Sequence, residues 1–383
     1  MPLVKVTVFS GARSEFGFLR CLVEKLEEAT DVTCRLLVSG THLDARSGLT
    51  LEEISKSGFQ IVTTRPVVPK LESESFVAEY LAQSIVEVSR VVGSTETDAL
   101  IVLGDRIETM AAALVAHSKA IPIVHIHGGE RTKSLIDDGY RDAITKLASV
   151  HFASTEEHAN NIIQMGENRR RIFNVGALAV EAVTSTPVIS DQEFLTRVGL
   201  PSQNLILATF HPVTLLSDSG QLELEAMLAA LRQFPSMNIC ITGSNLDGAV
   251  CEFREKVESF VQESPKTRVL IPSLGSSLYI NALRRATVCL GNSSSGLIEA
   301  PIVGIPSIDI GQRQQGRFKP KSVIHTEATV SGIAEAVNRV LLQSEHAAFR
   351  EVAGDYGDGS TSLKIIAVIK EMWNSGTLHK WGD

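Results

Sequence analysis

The segment GNSSSGLIEAPIVGIPSIDIGQRQQGR, residues 291–317, combines residue types that bind an anion and a sugar. It follows an apolar run, and serines before a predicted helix leave backbone N–H groups that can face an anion. The helix is predicted to begin near Ser295, and Glu299, four residues later, is predicted to lie on the same face. An ionised carboxylate only accepts hydrogen bonds, so beside a phosphate its partners would be sugar hydroxyls. Arg313 and Arg317 could add guanidinium groups. The segment predicts half of a nucleotide site, or else a capped helix with a buried ion pair.

Acidic side chains follow several apolar runs in the first half of the chain. They lie in the segments LGDRIE, HIHGGERT and IDDGYRDAITK and are Asp105, Glu130, Asp137 and Asp138. His127 and Arg141, in the same segments, are further candidate catalytic residues. Carboxylates crowded at strand ends suit general acid–base chemistry. The local alternatives are a helix N-cap at Asp105 and an i,i+4 ion pair between Asp137 and Arg141. With acids in the first half and anion-binding groups in the second, the sequence favours a sugar nucleotide as ligand.

Short apolar runs alternate with longer helical patterns along most of the chain. The predicted strands are 3–9, 32–38, 59–63, 99–103, 121–126, 150–153 and 172–174, then 205–210, 238–242, 268–271, 286–290 and 307–310. Asp105, Ser154 and Ser190, each followed by Glu three residues later, predict capped helix starts. Continuous apolar strands separated by helices predict an α/β fold with doubly wound parallel sheets.

The alternation lapses around residues 181–204, which predicts a domain boundary near residue 185. We expect an N-terminal Rossmann-like domain, 1–184, on the sugar and catalytic side. The C-terminal Rossmann-like domain, 185–383, would bind the nucleotide, and its last helical pattern, 362–373, can pack back on the first domain. Two such domains facing across a cleft would bind a ligand between their strand ends.

Composition excludes several classes of protein. The 383 residues carry 36 Lys and Arg against 44 Asp and Glu, a net charge of −8, which disfavours nucleic-acid binding. The five cysteines form no CxxC pair, so neither a zinc knuckle nor a disulfide framework is indicated. Without a signal peptide or a long apolar span, the sequence predicts a cytoplasmic protein that does not bind a membrane. His125-x-His127 leaves a metal hydrolase as an alternative, although further ligands are missing.

The motifs GDRIE, HIHGGE, TEE, FNVG, HPVT, GNSSSGLIE and GQRQQGR, in this order, resemble those of the hydrolysing UDP-N-acetylglucosamine 2-epimerases of bacterial sialic-acid synthesis. The resemblance runs from Arg13 to about Arg317. It implies the glycosyltransferase-B architecture of two Rossmann-like domains. It also implies conversion of UDP-N-acetylglucosamine and water to N-acetylmannosamine and UDP, through 2-acetamidoglucal, without a cofactor or metal. We expect a homodimer or homotetramer.

The resemblance also assigns site residues. Its UDP contacts are Arg13, Arg106, His211, Asn245, Ser293, Ser294 and Glu299, with Arg313 as the arginine of the GQRQQGR motif. Its sugar-side residues are Asp105, Glu130, Asp137, Asp138 and Arg141, and His127 stands where related enzymes carry a glutamate. Gly139 and Asp142 replace the Ser and His of the common DDS.RH pattern, so the identity of the C2 base stays open.

Three alternatives remain at this point in addition to the metal hydrolase. The first is the same reaction on UDP-2,4-diacetamido-2,4,6-trideoxyglucose, since UDP and C2 are common to both substrates. The second is a non-hydrolysing epimerase. The third is a non-catalytic protein that binds nucleotide sugars, which four carboxylates near an anionic ligand argue against.

Overall fold

The computed structural model describes residues 3–44, 50–67, 75–132, 137–202, 204–213, 218, 220–243, 250–342, 354 and 356–380, without the side chains of residues 13, 14, 53, 94 and 250–252. This chain divides into two compact units. The first contains the described residues up to Glu130, those from Asp137 to Ala182, and those from Gly357 on. The second contains Arg131, Thr132 and the described residues from Val183 to Tyr356. The sequence predicts one boundary near residue 185, whereas the chain here returns to the first unit at Gly357.

The first unit is built on a seven-stranded parallel sheet. Its strands are β1 (Val4–Ser10), β2 (Val32–Val38), β3 (Ile61–Thr63), β4 (Ala99–Leu103), β5 (Ile123–Ile126), β6 (Val150–Ala153) and β7 (Ile172–Asn174). Their spatial order is β3-β2-β1-β4-β5-β6-β7. The helices are α1 (Arg13–Glu28), α2 (Leu51–Ser55), α3 (Phe76–Ser94), α4 (Ile107–Ser118), α5 (Asp137–Leu147), α6 (Glu156–Gln164) and α7 (Leu178–Ser185), which carries the chain into the second unit.

The second unit contains a six-stranded parallel sheet. Its strands are β8 (Leu205–Thr209), β9 (Asn238–Thr242), β10 (Arg268–Ile271), β11 (Ala286–Gly291), β12 (Ser307–Ile310) and β13 (Val323–Thr326), in the order β10-β9-β8-β11-β12-β13. Its helices are α8 (Asp191–Val198), α9 (Gln221–Leu231), α10 (Val250–Gln262), α11 (Gly275–Arg285), α12 (Glu299–Val303) and α13 (Val330–Leu342), and α14 (Thr361–Asn374) then belongs to the first unit.

The predicted α/β class with two Rossmann-like domains is confirmed. All twelve predicted strands are present, and β13 is one that the sequence does not predict. Strand β13 is short, lies at the sheet edge and is only partly buried, so it lacks the continuous apolar run of a central strand. No helix in the described ranges is both long and apolar enough to cross a lipid bilayer.

The strand order fixes where chemistry is expected in each unit. The order reverses between β1 and β4 in the first sheet and between β8 and β11 in the second. Open parallel sheets bind ligands at the carboxyl ends of the strands beside such a reversal. The loops after these four strands begin at Gly11, Gly104, Phe210 and Asn292.

Helix α14 is held in the first unit by apolar packing and by hydrogen bonds at its start. Ile365, Ile366 and Ile369 share a buried cluster with residues of α1 and the central strands. The Thr361 hydroxyl donates to the Val175 carbonyl at 3.1 Å, and the Ser362 N–H donates to the Glu181 carboxylate at 2.8 Å, which gives the helix start its partners.

The predicted helix caps have mixed outcomes. Ser190 caps α8, because its hydroxyl accepts the Glu193 N–H at 3.2 Å, as predicted. The cap at Ser154 is wrong by one residue: Thr155 caps α6 and accepts the His158 N–H. The cap at Asp105 is also wrong, because Arg106 is the N-cap residue of α4 and its side chain makes no capping hydrogen bond.

Candidate active site

Arg141, on α5, joins the loops that follow β4 and β5. Its side chain is 2% exposed, and its Nη1 donates to the His127 carbonyl at 2.9 Å and lies 3.3 Å from Glu130 Oε2. Its Nη2 donates to the Asp105 carboxylate. Burial alone would lower the pKa of Arg141, but the charges of Asp105, Glu130 and Asp138 raise it. The guanidinium therefore stays cationic and gathers an acid cluster, defined here as Asp105, His127, Glu130, Asp138 and Arg141.

Glu130 is held at the centre of the acid cluster by a tight loop. His127 Nδ1 lies 3.1 Å from Glu130 Oε1, and the Ser154 hydroxyl donates to the same oxygen at 3.3 Å. Gly129 has a φ of +76°, and a Cβ there would lie 2.2 Å from the His158 carbonyl oxygen, so only glycine fits. His127 Nε2 is buried without a hydrogen-bond partner among the described residues, which leaves it available to a ligand.

The two aspartates at the start of α5 have different neighbours. The charge of Asp138 raises the pKa of Arg141. By contrast, burial and the charge of Asp137 raise the pKa of Tyr140. The charge of Asp138 therefore acts on the acid cluster, and the charge of Asp137 acts on Tyr140.

Asp105 is tied to Arg141 and does not cap α4. The ion pair joins residues 36 positions apart, and the Asp105 side chain is 18% exposed. A local capping rule cannot detect this partner. The pairing leaves Asp105 the more accessible of the two carboxylates bound to Arg141, since the Glu130 side chain is 8% exposed.

Arg106, assigned to UDP by the resemblance, has a partner within the first unit. Its Nε and Nη2 donate to the Glu108 carboxylate at 3.2 and 3.4 Å, and the Glu108 charge raises the pKa of Arg106. Glu108 is 2% exposed and also accepts the Tyr80 hydroxyl at 2.9 Å. Arg13 begins α1, but its side chain lies outside the described structure, as does the whole of Asn245.

A buried carboxylate that the sequence analysis did not single out shapes the loop after β1. Glu15 Oε2 accepts the N–H groups of Gly11 and Ala12 at 2.7 and 3.1 Å, and Oε1 accepts the Thr109 hydroxyl at 3.1 Å. Burial raises the pKa of Glu15 to about 7. The carboxylate thus satisfies backbone groups immediately before Arg13, at the start of α1.

In the second unit, the serine loop, residues 292–296, follows β11. Ser293 caps a single 3-10 turn, Ser294–Gly296, and accepts the Ser295 N–H at 3.4 Å. The expectation of an α-helix from near Ser295 is wrong, because α12 begins only at Glu299. Pro301 has no N–H to donate back to Leu297, which interrupts the hydrogen-bond ladder of a longer helix.

Asn292 binds the serine loop to the loops that follow β8 and β12. It is fully buried, and its Oδ1 and Nδ2 bond to the backbone N–H and carbonyl of His211 at 2.7 and 2.8 Å. Its own carbonyl accepts Arg313 Nη1 at 3.1 Å and Gln314 Nε2 at 2.7 Å. The predicted residues His211, Ser293, Ser294 and Arg313 are therefore carried by adjoining loops. Asn292 belongs to the GNSSSG motif, in which the sequence predicts a role for the serines alone.

Glu299, at the start of α12, keeps one carboxylate oxygen available. Burial raises its pKa to about 7, while the Ser295 hydroxyl and the Arg317 charge act in the opposite direction. Its Oε2 is buried and has no hydrogen-bond partner among the described residues. A carboxylate with an unused acceptor oxygen suits the hydroxyl groups of a sugar.

The geometry of His125 argues against the alternative of a metal site at His125-x-His127. Nε2 of His125 donates to the Gly104 carbonyl at 2.8 Å, so Nδ1 accepts from the Thr145 hydroxyl at 3.2 Å. Burial lowers the pKa of His125 to about 3. Strand β5 ends at Ile126, and His127 has a φ of +63°. His127 is therefore not part of the strand, and the alternation of side chains along β5 does not place it on the same face as His125. The described residues contain no group of three His, Cys, Asp or Glu side chains that could hold a metal ion.

Two Rossmann-like units, one with clustered acid–base groups and the other with a serine loop and a buried carboxylate, are features of an α/β enzyme. The chain belongs to the UDP-N-acetylglucosamine 2-epimerase family, whose model matches residues 24–370.

Relatives in this family cover nearly the whole chain. A Legionella pneumophila UDP-N,N'-diacetylbacillosamine 2-epimerase (hydrolyzing) is 31% identical over 371 residues, 96% of this chain and 95% of that protein. A Neisseria meningitidis UDP-N-acetylglucosamine 2-epimerase is 30% identical over 386 residues, 99% of both chains. The crystal structure of UDP-GlcNAc 2-epimerase from Neisseria meningitidis, bound to UDP-GlcNAc, has a TM-score of 0.79 at 18% identity, covering 96% of this chain and all of that chain.

Proposed function

We infer that this enzyme is a hydrolysing epimerase that converts UDP-N-acetylglucosamine and water to N-acetylmannosamine and UDP. The observation that carries this inference is that two carboxylates, Asp105 and Glu130, both contact the buried guanidinium of Arg141. Epimerisation at C2 needs one group to remove a proton and another to return one on the opposite face, and such a pair supplies both.

The first half of the reaction is an elimination. C2–H of the sugar is not acidic, so its removal accompanies or follows departure of UDP from C1. A carboxylate takes the C2 proton, the C–H electrons form the C1–C2 double bond, and the C1–O electrons leave with the pyrophosphate. Arg313 and the backbone N–H groups of the serine loop are suited to stabilise that charge.

The second half is a hydration. Water adds to C1 of 2-acetamidoglucal and gives up one proton, while C2 receives a proton on the face opposite to the one that lost it. The product is free N-acetylmannosamine. His127, with a buried Nε2 that has no partner among the described residues, and Glu130 are close enough together to exchange protons during these steps.

The nucleotide is assigned to the second unit. Glu299 would accept hydrogen bonds from the two ribose hydroxyls, and the His211 loop and Ser293 would face the phosphates. Arg106 is not needed for this assignment, because Glu108 already neutralises it.

The second candidate function is the same reaction on UDP-N,N'-diacetylbacillosamine. The 31% identity to a relative of that name supports it as well as the 30% identity to the UDP-N-acetylglucosamine enzyme supports the first. Both substrates share UDP and C2, so the residues described above serve either one.

The test is an NMR time course in deuterated water with each sugar nucleotide in turn. We expect free sugar and UDP as products, with deuterium at C2 from the first turnovers, because the proton returned to C2 passes through a carboxyl group that exchanges with solvent. Accumulation of an epimerised sugar nucleotide, or product that keeps its original C2 hydrogen, would contradict the mechanism. The faster of the two substrates identifies the sugar.

Two variants test the acid–base roles separately from binding. Asp105→Asn and Glu130→Gln keep the size of each side chain but remove a base, so turnover should fall by about 100-fold or more while UDP affinity is retained. Near-normal turnover in either variant would assign that carboxylate a structural role.

A further inference from the structure

A hydrogen-bonded chain of three buried side chains runs from α6 to the carboxylate of Glu130. His158 Nδ1 lies 2.8 Å from Ser154 Oγ, and Ser154 Oγ donates to Glu130 Oε1 at 3.3 Å. All three residues are buried. Ser154 directly follows β6, and His158 lies in the first turn of α6. The imidazole of His158 therefore reaches the acid cluster through a single hydroxyl group.

The backbone of α6 fixes the position of His158. The Thr155 hydroxyl accepts the His158 N–H at 3.2 Å, and the His158 carbonyl oxygen would lie 2.2 Å from a Cβ at Gly129. One turn further on, Asn161 Nδ2 donates to the Gly129 carbonyl at 2.8 Å. The start of α6 therefore packs directly on the loop after β5, and the imidazole has a defined place beside the serine.

The direction of the hydrogen bonds follows from the number of protons in the chain. Ser154 has one hydroxyl proton, which can go to Glu130 or to His158 but not to both. If an ionised Glu130 accepts that proton, the imidazole must carry its own proton on Nδ1 and donate it to the serine oxygen. Each bond then polarises the next, which strengthens the bond to the carboxylate.

The charged groups around His158 leave its imidazole neutral. Burial lowers the pKa of His158 from its ordinary value of 6.5, and the charges of His127 and Arg141 act in the same direction. The charges of Glu130 and Glu157 oppose this effect but do not reverse it. Above pH 6.5 the two ring nitrogens therefore share one proton, and the contact with the serine decides which nitrogen carries it.

We propose that His158 is a positioning residue for the reaction: it donates from Nδ1 to Ser154 and so directs the serine hydroxyl to Glu130 Oε1. The proposal rests on the acid–base role proposed for Glu130. Without the imidazole, the serine oxygen loses its donor and its hydroxyl is no longer held in one orientation. The carboxylate then loses a fixed hydrogen bond, and an acid–base group that is less well oriented slows the chemical step.

The first experiment measures kcat and KM of the full chain with the faster of the two sugar nucleotides. Ser154→Ala and His158→Phe should each lower kcat about tenfold and change KM less than about twofold, because they act on the chemical step. His158→Asn, whose amide nitrogen can take the place of Nδ1, should restore kcat to within about threefold of the wild type. Full loss in His158→Asn would overturn the proposal.

The double variant Ser154→Ala/His158→Phe tests whether the two side chains act through one hydrogen bond. In that case it should lose about tenfold in kcat, no more than Ser154→Ala alone. A loss of about 100-fold would mean that the two residues act independently, which would overturn the proposal.

Thr155→Ala is the matched control. It removes the N-cap of α6 and loosens the same helical turn, but it leaves both side-chain hydrogen bonds of the chain in place. Its kcat should stay within about twofold of the wild type, and a tenfold loss would overturn the proposal. Wild-type kcat in His158→Phe, with about 100-fold loss in Glu130→Gln, would overturn this proposal alone. Near-normal kcat in Glu130→Gln would instead overturn the acid–base role on which it rests.

The second experiment is nitrogen-15 NMR of the resting enzyme with labelled histidine at pH 7.5, in which His158→Asn identifies the His158 signals by their loss. We expect a neutral imidazole with its proton on Nδ1, and a shift of that proton toward Nε2 in Ser154→Ala. A wild-type proton on Nε2 would mean that Nδ1 accepts the serine hydroxyl, and would overturn the proposal.

Discussion

Replacing Glu15 by Gln is expected to remove a pH dependence from the stability of the first unit. Glu15 is 6% exposed, and burial raises its pKa to about 7 from an ordinary value of 4.5. The folded unit therefore holds the proton more tightly than the unfolded chain does. The free energy of unfolding should fall as pH rises from about 4.5 to about 7, by roughly 3 kcal/mol, and then level off.

The local geometry suits this substitution. An amide oxygen can accept the N–H groups of Gly11 and Ala12 in place of the carboxylate. The amide nitrogen can donate to the Thr109 hydroxyl, whose own proton can go to the Leu103 carbonyl at 3.5 Å. Glu15→Gln should therefore match the wild type near pH 4.5 and exceed it by up to about 3 kcal/mol at pH 8.

The assay must report on the first unit alone, because two compact units need not unfold together. Hydrogen exchange of the β1 amides, measured from pH 4.5 to 8, provides this readout. Glu24→Gln, at a side chain of the same helix that is 41% exposed, is the matched control and should keep the pH trend of the wild type, because it retains Glu15. A stability difference between Glu15→Gln and wild type that stays constant across this range would refute the reasoning.

Three further predictions follow from the site. Asn292→Ala should weaken UDP binding about tenfold in calorimetry, because the His211 loop loses two hydrogen bonds. Unchanged affinity would mean that these hydrogen bonds do not position the loop for UDP. Arg141→Met should destabilise the first unit by about 3–5 kcal/mol in hydrogen exchange, since two carboxylates lose their buried cation, whereas a loss below about 1 kcal/mol would mean that solvent already screens them. Turnover should survive EDTA; abolition by the chelator and rescue by zinc would favour a metal hydrolase.

The fold could be predicted from sequence where burial is continuous. Strands such as β4, all of whose residues are buried, appear as uninterrupted apolar runs, and their alternation with helices implies parallel sheets. Strand β13 could not be predicted, because a partly buried edge strand does not appear as a continuous apolar run. The sequence indicates that the last helical pattern can pack on the first domain, but the residue at which the chain returns, Gly357, depends on packing between distant segments.

The site was predictable where residue type and chain position suffice. Asp105, Glu130 and Arg141 could be grouped because parallel strands end at one edge of a sheet. The Asp105 cap failed because capping rules consider only neighbours in sequence, and the competing partner is a buried guanidinium on α5. Asn292 could not be predicted for a related reason. Its role depends on the backbone groups of His211 that lie opposite its side chain, and no local pattern in the sequence encodes that.

The position of α14 makes the second unit an inserted domain. The first unit is formed by segments on both sides of it, and α14 contributes Ile365, Ile366, Ile369 and Met372 to the core that contains α1. Deleting the chain from Gly357 onward would therefore expose apolar surface of the first unit while leaving Val183–Tyr356 of the second unit covalently intact. Most of the second unit lies in one contiguous stretch, 183–356, whereas the first unit is formed by separate segments. Producing the first unit alone would therefore require a designed linker to replace the insertion.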